Sequence, residues 1–219
     1  MTEFVGILAL ITHQSSGKTI ELLQTSVVKC YNSVVSVEKL KTLYREMENY
    51  NDPFIDHLIH ANTEENKTPF AVFSPKGVMH RPNTKEQLIK VLHCVLTTLK
   101  SLHEIDIIHR DLCWDNVLRF IDQDRWFIID FNDACHTPSN TPNTQLARDN
   151  HATEIFQPDH DESTAFVDVK ELSDYAGTKL MAEEDLDRPT AKEALRWIRN
   201  NYRDLLRKDF LEENTMNES

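Results

Sequence analysis

His109-Arg110-Asp111-Leu112-Cys113-Trp114-Asp115-Asn116, followed after a second apolar segment by Asp130-Phe131-Asn132, decides the reading of this 219-residue chain. Asp111 and Asn116 stand five residues apart behind Ile105, Ile107 and Ile108, and Asp130 follows Trp126-Phe127-Ile128-Ile129. Each polar group therefore sits where an apolar, strand-like segment gives way to a loop, the usual place for reactive side chains on a rigid support. One carboxylate to receive a hydroxyl proton, with an amide and a second carboxylate to hold Mg2+, is the set that phosphoryl transfer needs.

Working outward, composition sets mild bounds. Apolar content of 40% and charged content of 27% describe a globular chain long enough to bury a core. A formal net charge of -12 without a basic patch argues against a nucleic-acid partner. Cys30, Cys94, Cys113 and Cys135 are widely spaced with no CxxC pair, which favours free thiols over a disulfide or zinc framework. The apolar run Phe4–Ile11 is too short to span a membrane and has no basic leader. The expectation is a chain without a membrane partner, in the cytoplasm or nucleus.

Strand-like runs dominate the first third: Phe4–Ile11, Thr19–Gln24 and Val27–Tyr31, with a polar turn at Gln14–Lys18. The stretch Thr12–Thr19 ends in Gly-Lys-Thr, but Thr12 stands where a phosphate-binding loop requires its first Gly, so a hairpin turn is the better reading. Val37–Asn49, rich in Lys, Glu and Leu and free of Gly and Pro, predicts a helix. Pro69–Ser74 is apolar and closes at Pro75-Lys76-Gly77. Leu88, Val91, Leu92, Val95, Leu99 and Leu102 then recur at three and four residues, the stripe of a core-facing helix, with Thr84 and Gln87 spaced for a capping box. Residues 132–164 read as a long irregular stretch, and Thr190–Leu206 as a further helix carrying Ala194, Leu195, Ile198, Tyr202 and Leu205. Strands first and helices after predict an α+β architecture.

HRDLCWDN matches five of eight positions of HRDLxxxN, and with IIDFN it resembles the catalytic loop and metal-binding element of the eukaryotic-type protein kinase superfamily. The resemblance implies a bilobal fold, here an N-lobe at about residues 1–75 and an abridged C-lobe at about 78–211, ending in a frayed acidic tail at 212–219. It implies Asp111 as catalytic base, Asn116 and Asp130 as Mg2+ ligands, His109 and Phe131 as structural members, and Arg110 as the partner of a loop phosphate. Lys29 in Val27-Val28-Lys29 is similar to the lysine that contacts the ATP phosphates, with Glu46 as the helix carboxylate to hold it and Glu48 as the alternative. Ala152-Thr153-Glu154 resembles the element closing the activation segment, and Arg188 the arginine that pairs with Glu154. Asp168 resembles the acid that ties down the catalytic-loop backbone, and Thr141 and Thr144 lie at a fitting distance before Glu154 for a phosphorylated site. The implied cofactors are ATP and Mg2+, and the implied partner is a protein substrate.

The departures bear on activity. No GxGxxG precedes Lys29, Asn132 replaces the Gly of the metal-binding element, and Cys113 stands where Ser/Thr kinases carry a Lys. Asn tolerates positive φ better than other replacements for Gly, so the turn at Asn132 is expected to survive. Only 20 residues separate Asp168 from Arg188, so a substrate-docking helix is shortened or missing. The leading expectation is an ATP-dependent protein kinase with a Ser/Thr target before a Tyr one. The competing readings are a pseudokinase, binding nucleotide or acting as a scaffold, and a small-molecule phosphotransferase of the same clan. Arg110, Glu154 and Arg188 count against the last.

Overall fold

The computed structural model describes residues 9–12, 19–137 and 190–206. Five strands form an antiparallel sheet in the order β1 (Ala9–Thr12), β2 (Thr19–Leu22), β3 (Val27–Cys30), β5 (Phe70–Ser74), β4 (His57–Asn62). Short hairpins account for β1 to β3, and the register sets Lys29 of β3 between Ile20 of β2 and Ala71 of β5. The β-branched Val27 and Val28 favour the extended backbone that brings Lys29 to the middle of this sheet.

Helix α1 (Val34–Glu48) links β3 to β4 and buries Val37, Leu40, Leu43, Tyr44 and Met47. It begins three residues before the Val37 start that the sequence suggests, because the Ser33 hydroxyl accepts the Val35 N–H at 3.2 Å and caps the helix. Val34 and Val35 are exposed and β-branched, so neither helix propensity nor a core stripe marks this first turn. Strand β4, unforeseen in the sequence, has exposed Ile59 and His60 at its centre and a register shift between Leu58 and His60 that blurs period-two alternation.

Beyond Ser74 the chain builds a second, smaller sheet from β6 (Gly77–Val78), β8 (Val117–Phe120) and β9 (Trp126–Ile128), in the order β6-β8-β9. Gly77 is needed for this closure: a Cβ there would lie 2.7 Å from Leu118 Cβ and 2.7 Å from the Phe127 ring. Helix α2 (Lys85–His103) carries the expected stripe and also buries Ile89, Cys94 and Leu96, so it is the central helix of the helical half. Its cap differs from a full capping box. Thr84 Oγ1 accepts the Gln87 N–H, while the Gln87 side chain accepts from the N–H of Asn83 instead of Thr84.

The expected helix over 190–206 is two helices, α3 (Ala191–Asn201) and α4 (Arg203–Leu206), broken at Tyr202. The full capping box is found here, between Thr190 and Glu193. Both helices pack on α2. Two-residue strands β7 (Ile107–Ile108) and β10 (Cys135–His136) pair antiparallel on either side of the sequence motifs. The sheet with one helix followed by a mainly helical part is a shortened bilobal α+β fold.

Candidate active site

Asp111 and Asn116 come from the loop between β7 and β8, and Asp130 from the turn after β9. The backbone ties these two segments together, with Ile129 N–H donating to Asn116 O at 2.9 Å. A 3-10 turn over Trp114–Asn116 follows Cys113 and brings Asn116 back over Asp111. Asn116 Nδ2 donates to Asp111 O at 2.7 Å and to Asp111 Oδ2 at 3.0 Å. Both amide donors are thereby directed at Asp111, leaving Asn116 Oδ1 as the oxygen a cation could use.

His109 anchors the same loop from below. Its Nε2 lies 2.9 Å from Ile129 O, and its Nδ1 accepts the Asp111 N–H at 3.2 Å. An accepting Nδ1 requires the proton on Nε2, so one neutral tautomer satisfies both contacts. Burial lowers the His109 pKa from the ordinary histidine range, which keeps that neutral form. Phe131 stacks edge-on against the His109 ring at 4.8 Å between centroids and against Tyr44 of α1 at 5.7 Å. Tyr44 in turn lies 5.5 Å from Phe73 of β5. A continuous line of buried rings thus joins the loop to both α1 and the five-stranded sheet.

Two residues of the site hold left-handed backbone: Arg110 at φ 66° and Asp130 at φ 67°. This corrects the expectation for Asn132, whose φ is not positive. The strained position of the turn is the Asp, which together with Asn is among the residues that tolerate it best. Asn132 contributes by its side chain, its amide donating to Asp130 Oδ1 in a short hydrogen bond. Arg110 directs Nη1 at Cys135 Sγ, 3.7 Å away on β10.

Lys29 reaches the site, but through a different partner from the one the sequence suggests. Its Nζ lies 3.3 Å from Asp130 Oδ1 and 5.4 Å from the centre of the Phe73 ring. Glu46 instead meets His136 of β10, Oε2 to Nε2 at 2.9 Å, on the solvent side of α1. The physical reason is the helix face: Leu40, Leu43, Tyr44 and Met47 fill the inward positions, so Glu46 is carried to the rim and Glu48 to the exposed side. The pairing of Lys29 with Glu46 or Glu48 is therefore not made.

Sequence reasoning missed a buried acid beside this group. Asp56, 3% exposed, precedes β4 and accepts the Tyr44 hydroxyl at 2.5 Å. Burial raises its pKa to about 7, against the opposing pull of the Lys29 charge and the Tyr44 hydrogen bond. The available signal was an acid set within an apolar run, Phe54-Ile55-Asp56, though a turn would show the same letters. Cys113 is half-buried in the loop, and burial followed by the Asp111 charge raises its thiol pKa, keeping it neutral. Glu154, Asp168, Arg188, Thr141 and Thr144 lie outside the described residues. Among the described residues, no helix is long and apolar enough to cross a membrane.

Comparison with known proteins bears on the fold and the family. A solved structure of the Cydia pomonella granulovirus kinase PK-1 superposes with a TM-score of 0.50 at 18% identity, covering 62% of this chain and 54% of that one. Crinkler effector protein 8 of Phytophthora infestans is 28% identical over 216 residues, 90% of this chain and 35% of the relative. A probable serine/threonine-protein kinase, fnkB of Dictyostelium discoideum, is 27% identical over 127 residues, 57% of this chain and 20% of the relative. The chain thus spans about a third or less of the length of these curated relatives. The fungal protein kinase family model matches residues 11–158, more than half of the chain and every described element from β2 to β10. Taken with the fold, that match means the chain belongs to the fungal protein kinase family.

Proposed function

We propose that this chain transfers the γ-phosphate of ATP to a protein hydroxyl, with Mg2+ as cofactor and Ser or Thr before Tyr as acceptor. The observation that carries the reading is the closed unit of Asp111 and Asn116, whose amide holds the carboxylate at 3.0 Å while keeping an oxygen in reserve. Asp111 orients the acceptor hydroxyl and takes its proton, since a fixed carboxylate is the group such a transfer needs. Asn116 Oδ1 and the Asp130 carboxylate are hard oxygen donors, a set suited to Mg2+ that keeps phosphate and water as its remaining ligands. When bound, the cation would neutralise charge on the transferring phosphate. Lys29, 3.3 Å from the same carboxylate, would contact the nucleotide phosphates. A protein substrate is supported by family membership and by the serine/threonine-kinase name of the Dictyostelium relative.

A second reading, nucleotide binding without transfer, is favoured by one observation. Cys113 is a neutral thiol where a cation would balance the moving phosphate. Incubation with γ-labelled ATP, Mg2+ and a mixed protein substrate separates the two. The kinase reading expects label on protein, lost in Asp130→Ala and on chelation of the metal. ATP binding with no transfer would favour the second reading, and absence of binding would contradict both.

A further inference from the structure

Two donors converge on one oxygen of Asp130. Lys29 Nζ lies 3.3 Å from Oδ1, and the Asn132 amide donates to the same Oδ1. Neither contact uses Oδ2. Of the two ways an amide can face that oxygen, only the one presenting Nδ2 avoids oxygen against oxygen. The arrangement repeats what Asn116 does for Asp111, where a downstream amide holds the carboxylate by one oxygen, Oδ2, at 3.0 Å. The backbone at Asn132 asks for no special residue, since its φ is not positive. The turn is closed without its side chain, by Ala134 N–H donating to Phe131 O at 3.3 Å and by the packing of Phe131 on the His109 and Tyr44 rings. What Asn brings to a position that the resemblance gives to Gly is therefore its amide.

Lys29 is a long, flexible side chain, and on the phosphotransfer reading its ammonium is drawn to the nucleotide phosphates. Asn132 is then the donor that stays on Oδ1, carried on the same turn two residues after Asp130. Resting on that reading, we propose that Asn132 is a positioning residue, holding Asp130 as a one-oxygen ligand and thereby favouring Mg2+ over Ca2+. A carboxylate with one oxygen occupied offers the other alone. Mg2+ demands near-octahedral geometry at about 2.1 Å and is served by single oxygens, whereas the larger Ca2+ also takes both oxygens of a carboxylate in a looser shell. The amide on Oδ1 disfavours that second mode. A group that orients a metal ligand in this way typically sets about tenfold or more of the metal affinity.

The test is ATP binding by calorimetry, titrated with Mg2+ and separately with Ca2+, for the unaltered chain, Asn132→Gly and Asn132→Ala. A parallel series in chelator gives the metal-free affinity, and thermal melting checks the fold of each variant. Both variants are expected to weaken Mg2+-dependent binding alike, by about tenfold, and Ca2+-dependent binding by about threefold or less. The preference for Mg2+ then falls, while metal-free ATP affinity and melting temperature stay as in the unaltered chain. A merely structural role would not move that preference, and a backbone role would leave Asn132→Gly as good as Asn. Mg2+-dependent binding by Asn132→Gly within about twofold of the unaltered chain, or an equal loss for the two cations, would overturn the proposal. Failure of the unaltered chain to bind ATP with Mg2+ would instead overturn the phosphotransfer reading on which it rests.

Discussion

Asn116 shows how much one side chain can do. It is nearly buried, and its amide makes two bonds to Asp111 that fix the carboxylate before any substrate arrives. Preorganisation of this kind is where most of the rate of a positional reaction comes from. Asn116→Ala frees Asp111 and removes an oxygen donor from the proposed cation site, so on the phosphotransfer reading phosphate transfer is expected to fall about a hundredfold or more. Steady-state rates at saturating ATP and Mg2+ check this, and a loss under about threefold would show that Asp111 does not need the amide. At this scale the sequence was most legible. The contact of Asn116 with Asp111 follows from their spacing within one loop between two short strands, and Asp130 stands, as expected, where a strand gives way to a turn. The role of Asn132 was not legible, since left-handed backbone falls on its neighbour Asp130 and composition does not say which residue of a turn bears it.

The elements carry a second, independent electrostatic device, away from the site. His93 of α2 is 3% exposed and accepts the Arg199 Nε–H of α3 at 3.1 Å on its own Nε2. Burial, with the Arg199 and Arg125 charges, lowers its pKa to about 3. Unfolding restores the ordinary value near 6.5. The unfolded chain therefore binds the proton first as pH falls, and the stability contributed by neutral His93 is present above about pH 6.5 and is lost as pH falls toward about 3. Melting temperatures measured from pH 7 to pH 4 should fall, and His93→Gln, which can still accept from Arg199, should flatten that slope. Equal slopes for the two proteins would show that the α2–α3 contact does not titrate. The stripe of α2 could be read from its periodicity, whereas the capping box expected at Thr84 and Gln87 is found complete only at Thr190 and Glu193. The break at Tyr202 could not be read, because Tyr202 and Leu205 continue the apolar spacing across it while the Tyr202 backbone leaves the helical region at φ −126° and ψ 29°.

At the scale of the whole molecule, the three sheets and four α-helices of the described residues leave the candidate groups on the strands and turns between them. The order of strands and helices was enough to propose this architecture, but not which acid meets Lys29, in the structure Asp130 at 3.3 Å. A helix acid was expected from pattern, while the structure fills the inner face of α1 with apolar groups and a tyrosine and sets Asp56 on the following segment. A residue buried from another element leaves no periodic signal in its own stretch, which is why the burial of Asp56 was hidden. The account as a whole rests on Asp111 acting on the acceptor hydroxyl in the transition state. The most direct test is the rate of phosphate transfer by Asp111→Asn against the unaltered chain, with ATP and Mg2+ varied to resolve kcat from KM. The account predicts a kcat lower by about a thousandfold with the KM for ATP within about threefold, the signature of an interaction made in the transition state. An unchanged kcat in Asp111→Asn would contradict it.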